Sequence, residues 1–154
     1  PDRIAYSVAI GACGEGGSWE QALWLLAEMR HRGLCPDGIA YSAAMSACER
    51  GGQWQWSLEL LGAMGVGRLQ RDAVAYGAGV SACAQGQQWE LALALLAELC
   101  GTALTPTPVI FNSAISACEK GLQWQQALAL LGAMKARGMQ PDVVAYSAAI
   151  SACE

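Results

Sequence analysis

One histidine, one phenylalanine and a charged fraction of only 14% are what this chain has least of, and each scarcity excludes something. With His31 alone, no imidazole pair and no Cys–His set can be assembled, and no nucleophile–base combination presents itself, so neither catalytic residues nor a cofactor are expected. The charges divide into 9 basic and 13 acidic residues with an isoelectric point near 4.9, so the strongly basic balance typical of nucleic-acid binders is missing. Charges or Gln-Gly pairs interrupt every apolar stretch well before the roughly 18 residues that a bilayer crossing needs. A soluble chain with no membrane partner is therefore expected. Strand-type alternation of polar and apolar residues is also missing. The chain opens on Pro1 without a signal peptide or an Arg-rich transit segment, so it reads as a piece of a longer protein.

What the chain has in abundance is itself. Cys13, Cys48, Cys83, Cys118 and Cys153 lie 35 residues apart. At that offset YSVAIGACGEGGSW (6–19), YSAAMSACERGGQW (41–54), YGAGVSACAQGQQW (76–89) and FNSAISACEKGLQW (111–124) align without a gap, and a further copy, YSAAISACE, begins at residue 146. The second half of each unit repeats as ALWLLAEM, SLELLGAM, ALALLAEL and ALALLGAM. Self-similarity at such a period is the signature of stacked supersecondary units.

Within a unit, Tyr41, Ala44, Met45, Ala47 and Cys48 follow helical spacing, as do Trp54, Leu58 and Leu61. Gly16, Gly51, Gly86 and Gly121 recur where a left-handed residue would end the first helix. Segments such as RHRGLCPD and KARGMQPD end the second helix, with Gly33 or Gly138 ahead of a proline stop. Asp37, Asp72, Asp142 and Thr107 are placed to cap the following first helix, with Pro108 at its first position. Ala9, Ala44, Gly79, Ala114 and Ala149 keep one position small, so that first helices are expected to approach closely there, while Leu pairs fill the gaps. The expected fold is all-α: a right-handed α-solenoid of helix-turn-helix repeats at 3–37, 38–72, 73–107 and 108–142 with a partial fifth at 143–154. First helices should line one surface and second helices the other.

A 35-residue hairpin that begins V/I-x-Y-S/N, carries A-L-x-L-L-x-x-M in its second helix and closes with P-D resembles the pentatricopeptide repeat, and the resemblance runs through essentially the whole chain. The 34-residue tetratricopeptide repeat fits less well, because its W-x-x-L-G-x-x-Y pattern is missing. The resemblance implies binding of single-stranded RNA, one base per repeat, through the fifth and last residues. These are Ser7 with Asp37, Ser42 with Asp72, Gly77 with Thr107 and Asn112 with Asp142, and Ser147 opens the partial fifth repeat. It also implies that an aliphatic second residue wedges against the base, here Ile4, Ile39, Val74, Val109 and Val144. Ser with Asp implies guanine and Asn with Asp uracil, giving 5′-G-G-N-U-3′; Gly77 with Thr107 departs from the common pairs and leaves the third base open. A chloroplast or mitochondrial role in RNA processing, editing, stability or translation follows from the same resemblance, as does a catalytic or processing protein partner. The H-x-E and P-C-x-x-C motifs of the zinc deaminase domain that some relatives carry are not in this sequence.

Blander readings stand beside these. One cysteine per hairpin does not give four convergent zinc ligands, so no metal is expected and the series reads as small packing residues, with Cys35 and Cys100 outside it. Trp19, Trp54, Trp89 and Trp124 read as hairpin-junction residues rather than base-stacking platforms. Two turns beyond the fifth residue stand Glu15, Arg50, Gln85 and Lys120, so Arg50 and Lys120 are the candidates for phosphate contact. The acidic balance favours a rival function, a protein-interaction scaffold of the α-solenoid type. An array that breaks off inside a fifth first helix is expected to self-associate through its uncapped edge.

Overall fold

In a computed structural model, which describes residues 2–154, the carboxylates of Asp2, Asp37, Asp72 and Asp142 accept hydrogen bonds of 2.8–2.9 Å from the backbone N–H groups of Ala5, Ala40, Ala75 and Ala145. Thr107 Oγ1 accepts from Ile110 in the same way at 3.4 Å. Each such cap satisfies an otherwise orphaned donor, stabilises the start by about 0.5–2 kcal/mol, and launches a first helix. These are α1 (Arg3–Gly16), α3 (Gly38–Arg50), α5 (Ala73–Gln85), α7 (Pro108–Lys120) and α9 (Val143–Cys153). Between them run the second helices α2 (Trp19–His31), α4 (Trp54–Val66), α6 (Trp89–Cys100) and α8 (Trp124–Ala136). Among the described residues there is no strand.

The turn inside each hairpin closes on the periodic cysteine. The carbonyls of Cys13, Cys48, Cys83 and Cys118 accept from the N–H five residues on, at 2.8–3.0 Å, the six-to-one bond of a Schellman motif. The left-handed residues that this closure needs are Gly17, Gly52, Gln87 and Leu122. They lie one position beyond the glycines expected to play that part: Gly51, Gly86 and Gly121 have φ near −80 to −90° (−82, −81 and −88°), and Gly16 is still helical. Gly51, Gly86 and Gly121 serve packing instead. A Cβ at Gly51, Gly86 or Gly121 would overlap the five-membered ring of Trp19, Trp54 or Trp89 from the preceding hairpin.

Successive first helices pack on one another, α1 on α3, α3 on α5, α5 on α7 and α7 on α9, while each second helix lies against its own first helix and the next one. The result is an all-α solenoid with a ladder of first helices. Its core repeats with the sequence: Ile10, Met45, Val80 and Ile115 on first helices and Met29, Met64, Leu99 and Met134 on second helices are all fully buried. Cys48, Cys83 and Cys118 are buried too, whereas Cys13 is half-buried and Cys153 exposed. The small position at Gly79 does not serve helix-to-helix approach as expected. Added there, a Cβ would meet the side chains of Leu95 (3.2 Å) and Leu61 (3.5 Å), so smallness makes room for second-helix leucines. The tight backbone approach of first helices is at Gly14, where a Cβ would sit 2.9 Å from the Ala43 carbonyl oxygen.

Two glycine substitutions should therefore move stability in opposite directions. Gly86→Ala forces Trp54 to shift and should cost about 1–3 kcal/mol, as overpacking does. Gly62→Ala, in mid-helix with nothing within 4 Å of its Cβ, should stabilise by about 0.5–1 kcal/mol. Urea melts of both variants check the pair, and two changes of the same sign would refute the packing role of Gly86.

Candidate nucleic-acid interface

The carboxylates that start the first helices also reach the residues singled out on the hairpin before. Asp142 accepts from Ala145 through Oδ1 and from Asn112 Nδ2 through Oδ2, at 2.9 and 3.1 Å. Asp72 accepts from Ala75 at 2.8 Å and, over a longer 3.4 Å, from the Ser42 hydroxyl, both through Oδ1. The fifth and last positions of a unit, thirty residues apart in sequence, are thus brought together by the packing of one first helix on the next. Asn112 Oδ1 and Ser7 Oγ have no hydrogen-bond partner although both atoms are buried. Gly77 and Thr107 share the wall of a groove of about 280 Å3 with Val74 and Val109. Gly77 contributes no polar side chain, and Thr107 spends its hydroxyl on the helix cap. Ser147 is exposed.

Ile4, Ile39, Val74, Val109 and Val144 form an exposed aliphatic series, each 57–71% accessible, one turn before each fifth residue. Exposed β-branched side chains at a fixed register on a helix ladder are a stiff apolar wall that water solvates poorly. A second groove, about 250 Å3, brings Val109, Val144, Asn112 and Lys120 together. Lys120 is exposed there, whereas Arg50 donates to the Glu15 carbonyl oxygen at 2.5 Å and so ties α3 to the end of α1. Arg50 thus has a structural partner that spacing did not reveal.

Tryptophans 19, 54 and 89 are half-buried over the glycines of the next hairpin, as junction residues are; Trp124 is exposed. Cys35 is exposed and Cys100 half-buried against the core. Among the described residues no three His, Cys, Asp or Glu side chains converge, and no helix is long and apolar enough to cross a membrane.

Comparison with known proteins places this geometry. The model of the PPR repeat matches residues 4–34 and that of the PPR repeat family residues 106–154. Among solved structures, the pentatricopeptide repeat protein PPR10 in complex with an 18-nt psaJ RNA element is 28% identical over 98% of this chain, with a TM-score of 0.82. PPR10 from maize, in another crystal structure, is 27% identical over 97% of the chain at a TM-score of 0.68. The PPR domain of Arabidopsis thaliana protein-only RNase P 1, in complex with tRNA, shares the fold at a TM-score of 0.88, with 14% identity, over 97% of this chain and 79% of that one. This chain spans about a fifth (22%) of the PPR10 chain that it matches. No curated protein matches it. Fold and comparisons together define an α-solenoid of helical hairpins. The chain belongs to the pentatricopeptide repeat family.

Burial pushes the thiols of Cys48, Cys83 and Cys118 from the ordinary 9.0 up to about 11, so they stay protonated and unreactive at neutral pH. Iodoacetamide should label Cys35 and Cys153 quickly and these three only after unfolding. The folded state holds the thiols neutral, so their contribution to stability is intact below pH 9.0 and is lost as the pH rises through about 11. A melting temperature that falls as steeply over that window in the Cys48, Cys83, Cys118→Ala variant as in the unmodified chain would contradict this assignment.

Proposed function

We propose that residues 1–154 form one repeat array that binds single-stranded RNA along its first-helix ladder, one base per repeat, and performs no catalysis itself. The observation that carries this reading is the pairing of Asn112 with Asp142 and of Ser42 with Asp72. In each pair the carboxylate accepts from its neighbour and so fixes that side chain's orientation. Asn112 donates to Asp142 and leaves Oδ1 without a protein partner; this atom is buried, so it accepts the N3–H of uracil only once the side chain turns outward. Ser42 donates to Asp72 and, although only 7% exposed, retains oxygen lone pairs for the N–H groups that guanine presents on its Watson–Crick edge. Ser7 with Asp37 repeats the second combination in residue type, without the hydrogen bond, and Gly77 with Thr107 offers no comparable acceptor, so the preference is 5′-G-G-N-U-3′. The aliphatic series from Ile4 to Val144 separates successive bases, and Lys120 supplies a phosphate contact in the fourth repeat; Arg50 does so only by leaving Glu15. RNA bound by PPR10 supports this choice of ligand. An organellar role beside a processing partner follows from the family in general.

Fluorescent RNAs that carry G-G-N-U, scrambled and homopolymer controls, titrated at stated low salt, test the reading. Ser42→Asn should move the preference at the second base from guanine to uracil, a discrimination of about 1–3 kcal/mol if it resembles other base-edge contacts. If no RNA binds, the scaffold reading favoured by the net charge of −4 takes its place.

Self-association belongs to the same proposal. Trp124, Leu128, Tyr146 and Ile150 expose an apolar edge on α8 and α9, where no further second helix covers α9 among the described residues. Sedimentation at rising concentration should show reversible dimers that Ile150→Lys abolishes; a monomer throughout would rule them out.

A further inference from the structure

Two of the six tryptophans stand outside the repeat. Where α2 has Trp24 the other second helices have Glu59, Ala94 and Ala129, and where α4 has Trp56 they have Gln21, Leu91 and Gln126. Both indoles are exposed, Trp24 by 63% and Trp56 by 44%, although neither serves the hairpin junctions. They line a groove of about 900 Å3 between α2 and α4, floored by Leu23, Leu26, Tyr41 and Leu60. The fold makes a furrow there because second helices pack on first helices and not on each other. The two tryptophans then turn the furrow into an aromatic cleft. It shares no residue with the base-reading or wedge positions.

Its charges are graded along its length. Glu20 stands at the N-terminal end of α2 and Glu59 at the middle of α4, level with Trp24, and Arg30 closes the other end beside Val66. From Glu20 to Arg30 is roughly 15 Å, the length of about three helical turns. The walls are helices whose backbone is satisfied internally, so no strand edge is available to extend, and an occupant must satisfy its own backbone.

We propose that this groove docks an amphipathic helix of a partner protein. That helix carries an aliphatic ridge against Trp24 and Trp56, Lys or Arg in its last turn facing Glu20 and at its middle facing Glu59, and an acidic residue in its first turn facing Arg30. The distribution also suits the partner's own helix dipole, which favours acidic residues early and basic residues late, and it fixes the docked helix antiparallel to α2 and α4. Exposed tryptophans in a desolvated cleft are where binding energy concentrates in such interfaces.

The test uses the whole chain and a synthetic peptide of ~14 residues with glutamates in the first turn, leucines at helical spacing along one face and lysines in the last turn. Binding should shift the tryptophan emission to the blue. Trp24→Ala with Trp56→Ala should weaken it at least about tenfold while the circular dichroism is unchanged. Glu20→Lys with Glu59→Lys should weaken it most at low salt, where the new Lys–Lys repulsion is least screened. Unchanged affinity in either double variant, or no binding by the peptide, overturns the proposal. So does a homodimer lost in the tryptophan variant, which would make a second copy the occupant, or a loss of RNA affinity in that variant, which would give the groove to nucleic acid. Since the RNA titration of the first-helix ladder is read separately, this docking site can fail without that reading failing.

Discussion

Each hairpin must present a residue without a side chain where the indole of the previous hairpin arrives, and the regular stacking of this solenoid depends on that contact. Trp19 on Gly51, Trp54 on Gly86 and Trp89 on Gly121 repeat it three times. A glycine in the helix end costs backbone entropy, yet any larger residue would push the ring outwards and splay the two hairpins. The same few residues close the hairpin. The glycine is followed by the left-handed residue of the turn, and the cysteine three positions before the glycine both fills the core and accepts the closing bond. Packing between repeats and folding within a repeat are therefore constrained by one short segment. This explains why the turn tolerates Gln87 and Leu122 in a left-handed conformation that costs roughly 1–2 kcal/mol. The strain is absorbed because the glycine beside it is already committed to the indole.

A second economy joins the fold to the proposed site. The aspartates that cap the first helices are the groups that orient Ser42 and Asn112. A carboxylate has enough lone pairs to accept from a backbone donor and a side chain together, and Asp142 does so with a different oxygen for each. Thr107 has a single hydroxyl oxygen, already engaged by Ile110, and opposite it Gly77 has nothing to orient. The third unit keeps the cap and gives up the polar pair. Folding alone would be satisfied by Thr at every last position, so Asp at three of four is the feature that the cap does not explain.

Much of this was legible in the sequence because a repeat supplies its own controls. Four copies fix the register, and the register fixes which residues are first-helix, second-helix or cap. The helix starts at Arg3, Gly38, Ala73, Pro108 and Val143 coincide with the starts read from the sequence. The polar pairs came from the family resemblance and not from the residues alone, since the contacts of Ser42 with Asp72 and of Asn112 with Asp142 depend on how one first helix packs on the next. What could not be read is what depends on contacts between copies. Gly51 looks like a turn glycine because it is next to one, and only the approach of Trp19 distinguishes the two. Arg50 looks like a free cation until the Glu15 carbonyl is found within reach. The groove between α2 and α4 is invisible to periodicity, since Trp24 and Trp56 matter by breaking the pattern.

The acidic balance acquires a different meaning once the two faces are separated. Four of the thirteen acidic residues, Asp2, Asp37, Asp72 and Asp142, are spent on capping, and Asp72 and Asp142 also orient a neighbour, so their charge is partly satisfied by donors at the head of a helix. Glu28 and Glu98 are paired with Arg32 and Arg71. Net charge therefore overstates the repulsion that RNA would meet along the first-helix ladder, where Lys120 stands free. Glu20 and Glu59 lie instead on the second helices, beside the unpatterned tryptophans. The base-reading pairs and these two cleft carboxylates stand on different helices, so the two surfaces need not share one ligand. They suit a ladder that meets RNA through base edges while the cleft behind it meets a basic protein helix.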